Sequence, residues 1–326
     1  MNVRLLPASR RWRAAAACAA AVAVSAAVVW FTPSLFVPLA MRAAYLVTGV
    51  RASSVLVDGH AWGYLEAGDP GTQPAILLHG FGTSREAMLG VMPWLAASHH
   101  AVAPDLPGFG QHPYHQGRTH DADFYASEVV RFADALGFRQ FDLVGTSMGG
   151  ALAVHLAARH PERVRRVVLL APAGVDPPVR NAFMQSIDRG ENPLDIRGEE
   201  DFDRVVSLVF ERPPPIPWQF RRFMAGEAVR RRPDTLRIVE AIRPFLLHGA
   251  GGDLAGVAAP TLVVWGDRDR VTDRSMMRVF LDGLPRATGA MLQGAGHVVF
   301  GDAPEETRRV VVPFLRDPDA AMPPHR

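Results

Sequence analysis

The chain has 326 residues, of which 48% are hydrophobic and 21% charged, with a formal net charge of +2. This balance excludes a disordered chain, and the length suits one large α/β domain with an insertion or two smaller domains. All 35 basic residues are arginines, and most are interspersed with Asp and Glu, so no nucleic-acid-binding surface is predicted. The single cysteine, Cys18, excludes an intrachain disulfide and a cysteine-based metal site.

The N-terminus combines arginines with a long apolar run. Four arginines precede an uncharged stretch that ends at Arg42, and its most apolar part runs from Ala14 to Phe31. A run of this length is about the shortest that crosses a bilayer as a helix. Because positive charge stays on the cytoplasmic side, the sequence predicts a single membrane span with the body of the protein on the non-cytoplasmic side.

Two alternatives concern this same segment. Residues 21–23, Ala-Val-Ala, have the small-x-small pattern of a signal-peptidase site, so a secreted or periplasmic protein is the alternative to the anchor. The apolar stretch 36–47 is predicted either to lie along the membrane surface or to pack as the first helix of the body.

From Ser53 onward, short β-branched runs alternate with longer helical patterns, which is typical of an α/β fold. Eight strands are predicted, at Ser54–Val57, Trp62–Glu66, Ala75–Leu78, His100–Ala103, Phe141–Val144, Arg166–Leu170, Thr261–Trp265 and Ala287–Leu292. Helices are predicted at Arg85–Ala97, Ala122–Leu136, Met148–Arg159, Asp273–Asp282 and Pro304–Leu315. The pattern therefore predicts a mostly parallel, eight-stranded sheet with helices on both faces.

The alternation breaks once, between Ala173 and Val257. This stretch has no convincing strand pattern, but bulky apolar residues such as Phe202, Val205 and Val209 recur at helical spacing. It is therefore predicted to be a helical cap over one end of the sheet. The expected organisation is an anchor or signal with a juxtamembrane segment (1–50), the first part of the core (51–172), the cap (173–257) and the second part of the core (258–326).

Residues 145–149, Gly-Thr-Ser-Met-Gly, follow a predicted strand and open a predicted helix. The two glycines permit a sharp strand-to-helix turn, because neither has a Cβ that would clash with the neighbouring elements. Such a turn exposes the serine hydroxyl beside the free N–H groups of a helix N-terminus. This context predicts Ser147 as a nucleophile.

A serine nucleophile requires a base and an orienting carboxylate. His297 lies in a glycine-containing loop near the last predicted strand, where it is expected to act as the base. Carboxylates occur at Asp267 and Asp269, directly after the strand Thr261–Trp265.

Backbone donors for an oxyanion are expected in the loop 79–82, His-Gly-Phe-Gly, which follows the strand Ala75–Leu78. The N–H groups of Phe81 and Met148 are the predicted donors. Histidines 112, 115 and 120 share no clear helical face and are predicted to be surface loop residues rather than metal ligands.

Several of these motifs occur in the order that is typical of one superfamily. The His-Gly loop, Asp-x-x-Gly-x-Gly, the serine turn, Trp-Gly-x-x-Asp and Gly-His…Pro-Glu together resemble the α/β-hydrolase superfamily from Ser53 to Pro318. The resemblance implies that Asp269 is the acid, with Asp267 as second candidate and Asp176 as third. Serine at the turn argues against haloalkane dehalogenase and epoxide hydrolase activity, because those relatives have aspartate there.

Within the superfamily, Gly-x-Ser-Met-Gly-Gly at 145–150, Ala-Pro-Ala-Gly at 171–174 and the N-terminal segment resemble the membrane-anchored monoacylglycerol lipases and related bacterial lipases and esterases. This resemblance implies an acyl-enzyme on Ser147, proton transfer through His297 and no metal or organic cofactor. An apolar cap suits a lipid or other hydrophobic ester. The alternatives are a hydrolase of carbon–carbon bonds in aromatic ring-fission products, a small-ester esterase and a non-catalytic ligand-binding protein; no oligomeric state is predicted.

Overall fold

The computed structural model describes the backbone of residues 8–317 and the side chains of residues 19–317. The strands are β1 (Arg51–Val57), β2 (His60–Ala67), β3 (Gln73–Leu78), β4 (His99–Pro104), β5 (Phe141–Thr146), β6 (Val164–Leu170), β7 (Thr261–Gly266) and β8 (Ala287–Leu292). They form one eight-stranded sheet in the order β1-β2-β4-β3-β5-β6-β7-β8. Strand β2 pairs antiparallel with β1 and β4, and all other pairs are parallel. The predicted eight-stranded, mostly parallel sheet is confirmed.

Helices cover both faces of this sheet. They are α1 (Ala8–Phe31), α2 (Pro33–Thr48), α3 (Met92–Leu95), α4 (Ala122–Ala135), α5 (Met148–Arg159), α6 (Ala182–Asp188), α7 (Glu199–Val209), α8 (Trp218–Leu247), α9 (Met276–Gly283), α10 (Val299–Asp302) and α11 (Pro304–Arg316). One apolar core packs α4, α5 and α9 on one face, and a second packs α3, α10 and α11 on the other. The strands between them are buried on both sides, as the mostly apolar sequences of β3, β5 and β7 predict.

The helix predicted over Arg85–Ala97 is wrong as a single element. The chain forms a 3₁₀ helix over Arg85–Gly90 and then the one-turn helix α3. Pro93 lies in the first turn of α3, where its missing N–H breaks no hydrogen bond; in the middle of a longer helix it would. The helix predicted from Asp273 begins instead at Met276, because the Asp273 carboxylate accepts the N–H of Ser275 in a preceding turn.

Helices α1 and α2 precede the sheet and meet at a break at Thr32. The described part of α1, from Ala19, and α2 are bent by 95° relative to each other. Within residues 19–317, no single helix is long and apolar enough to cross a bilayer. The bent pair, taken together, has sufficient length and apolarity. The single span predicted over Ala14–Phe31 is therefore not confirmed; the side chains of residues 14–18, Cys18 included, and of the preceding arginines lie outside the described set.

The long connection from β6 to β7, residues 171–260, is fully described and contains helices and loops but no strand. Helix α8 has 30 residues and packs against α7 and α2. All strands from β3 to β8 have their carboxyl ends at the same edge of the sheet. In open α/β sheets the ligand-binding crevice lies at this edge, and the loops that follow β3, β5, β7 and β8 carry the residues predicted to act in catalysis.

Candidate active site

The serine turn has the backbone that its glycines predict. Ser147 joins β5 to α5 with φ 54° and ψ −117°, a conformation that costs a non-glycine residue about 1–3 kcal/mol. A Cβ on Gly145 would lie 2.2 Å from the carbonyl oxygen of Gly149, and one on Gly149 would lie 2.3 Å from that of Leu78. No side chain fits at either position. The turn is held by Ser147 N–H, which donates to the carbonyl of Leu170 at 3.1 Å.

The predicted base and acid are in direct contact. His297 Nδ1 lies 2.9 Å from Asp269 Oδ2, and both residues are buried. A carboxylate only accepts hydrogen bonds, so this contact places the imidazole proton on Nδ1 and leaves Nε2 as a proton acceptor. Within residues 19–317, the hydrogen bonds of His297 involve Nδ1 alone. Nε2 is therefore available to a serine hydroxyl or a substrate, a contact that often tightens only when substrate binds.

Asp269 is held in place by its own turn. Its Oδ1 accepts the N–H groups of Val271 at 2.8 Å and Thr272 at 3.1 Å. The two other carboxylates considered from the sequence are elsewhere. Asp267 Oδ1 accepts the N–H of Gly294 at 2.6 Å, and Asp176 pairs with exposed His248, so neither contacts His297.

Sequence reasoning missed Thr272, which links the acid, the base and the serine turn. Its hydroxyl donates to Asp269 Oδ2 at 2.8 Å, lies 3.1 Å from His297 Nδ1 and contacts the carbonyl of Ala171 at 3.3 Å. Two residues beyond Ala171, the N–H of Ala173 donates to the carbonyl of Ser147 at 3.1 Å. A hydroxyl residue shortly after an aspartate in a turn was the available signal, because such turns bring the two side chains together.

The loop after β3 approaches the serine closely. A Cβ on Gly80 would lie 3.4 Å from Ser147 Cβ. Buried His79 fixes this loop: its Nδ1 donates to the carbonyl of Gly80 at 2.9 Å, and its Nε2 accepts the N–H of Leu106 at 3.1 Å. Burial lowers the pKa of His79, which agrees with the neutral imidazole that this pattern requires.

The predicted oxyanion donors flank this contact. Phe81 follows Gly80 in the loop, and its N–H makes no hydrogen bond to any described residue. Met148 is the first residue of α5, where an N–H has no acceptor within the helix. Among the described residues, one N–H in the loop after β3 and one at the start of α5 thus have no acceptor, and backbone donors of this kind can stabilise an oxyanion.

The histidines at 112 and 120 correct a prediction, because they are buried rather than on the surface. His112 packs edge-on against Trp62 with ring centroids 4.4 Å apart, and His120 stacks on Tyr114 at 4.2 Å. Burial lowers the pKa of each histidine to about 4. Among the described side chains, no group of three or more His, Cys, Asp or Glu is arranged to bind a metal.

Comparison with known proteins places the chain in a family. Residues 74–304 match the model of the alpha/beta hydrolase fold family. The chain is 28% identical over 256 residues to Lipase 1 of Psychrobacter immobilis, covering 78% of this chain and 80% of the relative. It is 29% identical over 314 residues to monoacylglycerol lipase abhd6-B of Xenopus laevis, covering 88% and 90%.

Among solved structures, a membrane phospholipase A described as a bacterial virulence factor superposes with a TM-score of 0.85. It shares 35% identity with this chain, and the match covers 95% of this chain and 99% of that protein. The matched family model covers more than half of the chain, and the sequence relatives and the solved structure match most of it. The chain belongs to the α/β-hydrolase fold family.

Proposed function

We propose that the protein is a serine hydrolase that cleaves carboxylic esters of lipids through an acyl-enzyme on Ser147. The observation that carries this proposal is the buried Asp269–His297 pair at the sheet edge where Ser147 occupies its strained turn. The lipases and the phospholipase among the similar proteins support ester hydrolysis.

The geometry supports a two-step reaction. Ser147 Oγ attacks the ester carbonyl carbon while His297 Nε2 accepts its proton, and the N–H groups of Phe81 and Met148 stabilise the oxyanion. His297 then protonates the leaving alcohol as the carbon–oxygen bond breaks, which leaves the acyl group on Ser147. Water attacks this ester with the same proton transfers, releasing the carboxylic acid. Asp269 holds the imidazole in the required tautomer and stabilises the imidazolium.

A hydrophobic acyl chain is the proposed substrate, with monoacylglycerols as the first class to test. Segment 173–257 is proposed to be the cap that binds this chain, between core parts 51–172 and 258–326. Helix α7 supports this role, because it has a charged side and an apolar side but no fully buried residue. Its apolar side chains are only half-buried and are therefore available to a ligand: Phe202, Val205, Val206, Leu208 and Val209.

The N-terminal segment, residues 1–50, is proposed to hold the protein at a membrane. Exposed apolar side chains recur on α2 at helical spacing, at Leu35, Leu39 and Leu46, and Leu46 is 84% exposed. The other side of α2 packs on α8, where the rings of Phe36 and Phe220 are 6.2 Å apart. This arrangement supports α2 lying along a bilayer surface next to the proposed cap.

The orientation proposed is a single N-terminal anchor with the catalytic body on the non-cytoplasmic side, and a secreted or periplasmic protein after signal cleavage is the alternative. Phase partitioning of the full chain separates these outcomes, since an anchored protein enters the detergent phase. Protease added outside cells stripped of any outer membrane is expected to degrade the body. Full protection would contradict the proposed orientation.

The function is tested by hydrolysis of p-nitrophenyl esters and monoacylglycerols of increasing chain length, with the full chain in detergent micelles beside Ser147→Ala. A rate that peaks at medium or long chains and disappears in the variant is expected. Activity restricted to acetate esters would favour a small-ester esterase. No ester hydrolysis at all, with labelling of Ser147 by a fluorophosphonate, would favour a carbon–carbon bond hydrolase.

A further inference from the structure

A short segment at the end of α7, residues 207–212, contacts the loop that carries the candidate acid. Arg270, which follows Asp269 directly, donates from Nη2 to the carbonyl of Ser207 at 2.8 Å and to that of Phe210 at 2.6 Å. These carbonyls lie at the C-terminal end of α7, where no N–H group of the helix donates to them. The segment 207–212 is thus fixed to the acid loop by one arginine.

The same segment contacts the loop of the candidate base. Val298 follows His297, and its N–H donates to the carbonyl of Val209 at 3.1 Å. On the other side of His297, a Cβ on Gly296 would lie 2.8 Å from the nitrogen of Glu211. Both neighbours of the histidine are therefore packed against residues 209–211.

The buried carboxylate of Asp302 forms hydrogen bonds to both the base loop and segment 207–212. Residue Asp302 is 6% exposed. Its Oδ2 accepts the N–H of Gly296 at 2.8 Å and that of Glu211 at 2.9 Å, while Oδ1 accepts the N–H of Arg212 at 2.9 Å. Hydrogen bonds to a carboxylate are stronger than those between neutral groups, so the three backbone N–H groups hold Asp302 firmly. It ties the base loop to a segment that is 90 residues away in the chain.

We propose that Asp302 is a positioning residue for His297, and that Asp302 and Arg270 together hold the two catalytic loops against segment 207–212. The inference rests on the proposed function. Because segment 207–212 continues α7, a shift of α7 would be transmitted to His297, so the position of the cap and that of the base are linked. Asparagine cannot replace Asp302, since its amide NH₂ would face a backbone N–H donor instead of accepting it.

The test compares Asp302→Asn with Asp142→Asn in the full chain. Asp142 is also a buried carboxylate, but it contacts His99 and Arg166 at the opposite end of the sheet. With a medium-chain p-nitrophenyl ester, Asp302→Asn is expected to lower kcat about 10- to 100-fold with little change in KM, because small displacements of a catalytic group have effects of this size. In proton NMR it should also lose the low-field Nδ1–H resonance of the His297–Asp269 hydrogen bond. Asp142→Asn should keep both.

A kcat for Asp302→Asn within about twofold of wild type, with the low-field resonance intact, would overturn the proposal. If this variant does not accumulate as folded protein, Arg270→Gln replaces it, because the Arg270 side chain is 49% exposed. A kcat reduced about threefold or more is then expected, and an unchanged kcat and resonance would overturn the proposal. If the wild type hydrolyses no ester, the proposed function fails, while the resonance still decides whether Asp302 positions His297.

Discussion

The two ends of the parallel sheet each hold a buried Asp–His pair, and only one of them is at the candidate active site. At the carboxyl ends of the strands, His297 Nδ1 is 2.9 Å from Asp269 Oδ2. At the amino ends, His99 Nε2 is 3.2 Å from Asp142 Oδ2, and His99 Nδ1 is 2.9 Å from Ser98 Oγ. Serine, histidine and aspartate thus occur together at both ends.

The backbone around the serine distinguishes the two ends. Ser98 lies in a turn directly before β4, so a strand rather than a helix N-terminus follows it. Ser147 has a positive φ and precedes the 12-residue helix α5, whose first N–H groups are free. Hydrolysis needs donors for the oxyanion as well as a base. The comparison teaches that the turn and its amides, rather than the three side-chain types, define the site.

Ser147→Ala tests this difference with the largest expected effect. Removal of the nucleophile should lower kcat by about 10⁴- to 10⁶-fold and abolish fluorophosphonate labelling. Ser98→Ala is the matched control, and its kcat should stay within about twofold of wild type. A loss of activity in Ser98→Ala at unchanged stability would contradict the assignment of the site to the carboxyl end.

The carboxylates allow the same comparison. Asp269→Asn should lower kcat by about 10⁴-fold, because the amide no longer selects the tautomer with its proton on Nδ1. Asp142→Asn should instead leave kcat unchanged and reduce the free energy of unfolding by about 1–3 kcal/mol, since His99 loses a buried partner. Steady-state kinetics and urea unfolding of both variants measure the two effects. Equal kinetic losses in both variants would show that the two pairs are not functionally distinct.

The sheet and the core of the site were predictable from the sequence because their signals are local. Short runs rich in apolar and β-branched residues predicted the buried strands, and two glycines with a serine between them predicted the turn at Ser147. His297 followed from its glycine-containing loop near the last strand, whereas Asp269 was selected over Asp267 by the resemblance to the α/β-hydrolase superfamily. The acid–base contact itself joins residues 28 positions apart, and the superfamily's motif order suggested it.

Burial and long-range contacts were not predictable in this way. His112 is buried because Trp62, which is 50 positions earlier in the chain, packs against it. The role inferred for Asp302 depends on Glu211 and Arg212, about 90 residues away. Neither contact leaves a pattern in the local sequence. The role proposed for Asp302 therefore depends on contacts that only the folded chain shows.

Thr272→Val sharpens the comparison by removing the hydroxyl that contacts both members of the Asp269–His297 pair. The substitution keeps the side-chain shape and deletes the hydroxyl between Asp269 and His297, so kcat should fall about tenfold because the pair is less firmly held. Thr307→Val deletes an equally buried hydroxyl in α11, one that bonds only to carbonyls of Val299 and Ala303. It should lose stability but keep its kcat. Equal kcat values for the two variants would remove Thr272 from the site.

The smallest expected effect concerns His112, which is buried without a carboxylate partner among the described residues, and the pH dependence of the free energy of unfolding. Burial lowers the pKa of His112 to about 4 in the folded state, against about 6.5 in the unfolded chain. Between these values the unfolded state binds more protons, so the free energy of unfolding should fall as the pH is lowered from about 6.5 to about 4. His112→Asn removes this titration and should reduce the loss by about 1 kcal/mol or more, measured by urea unfolding at several pH values. If His112→Asn keeps the wild-type pH dependence, His112 does not remain neutral on folding.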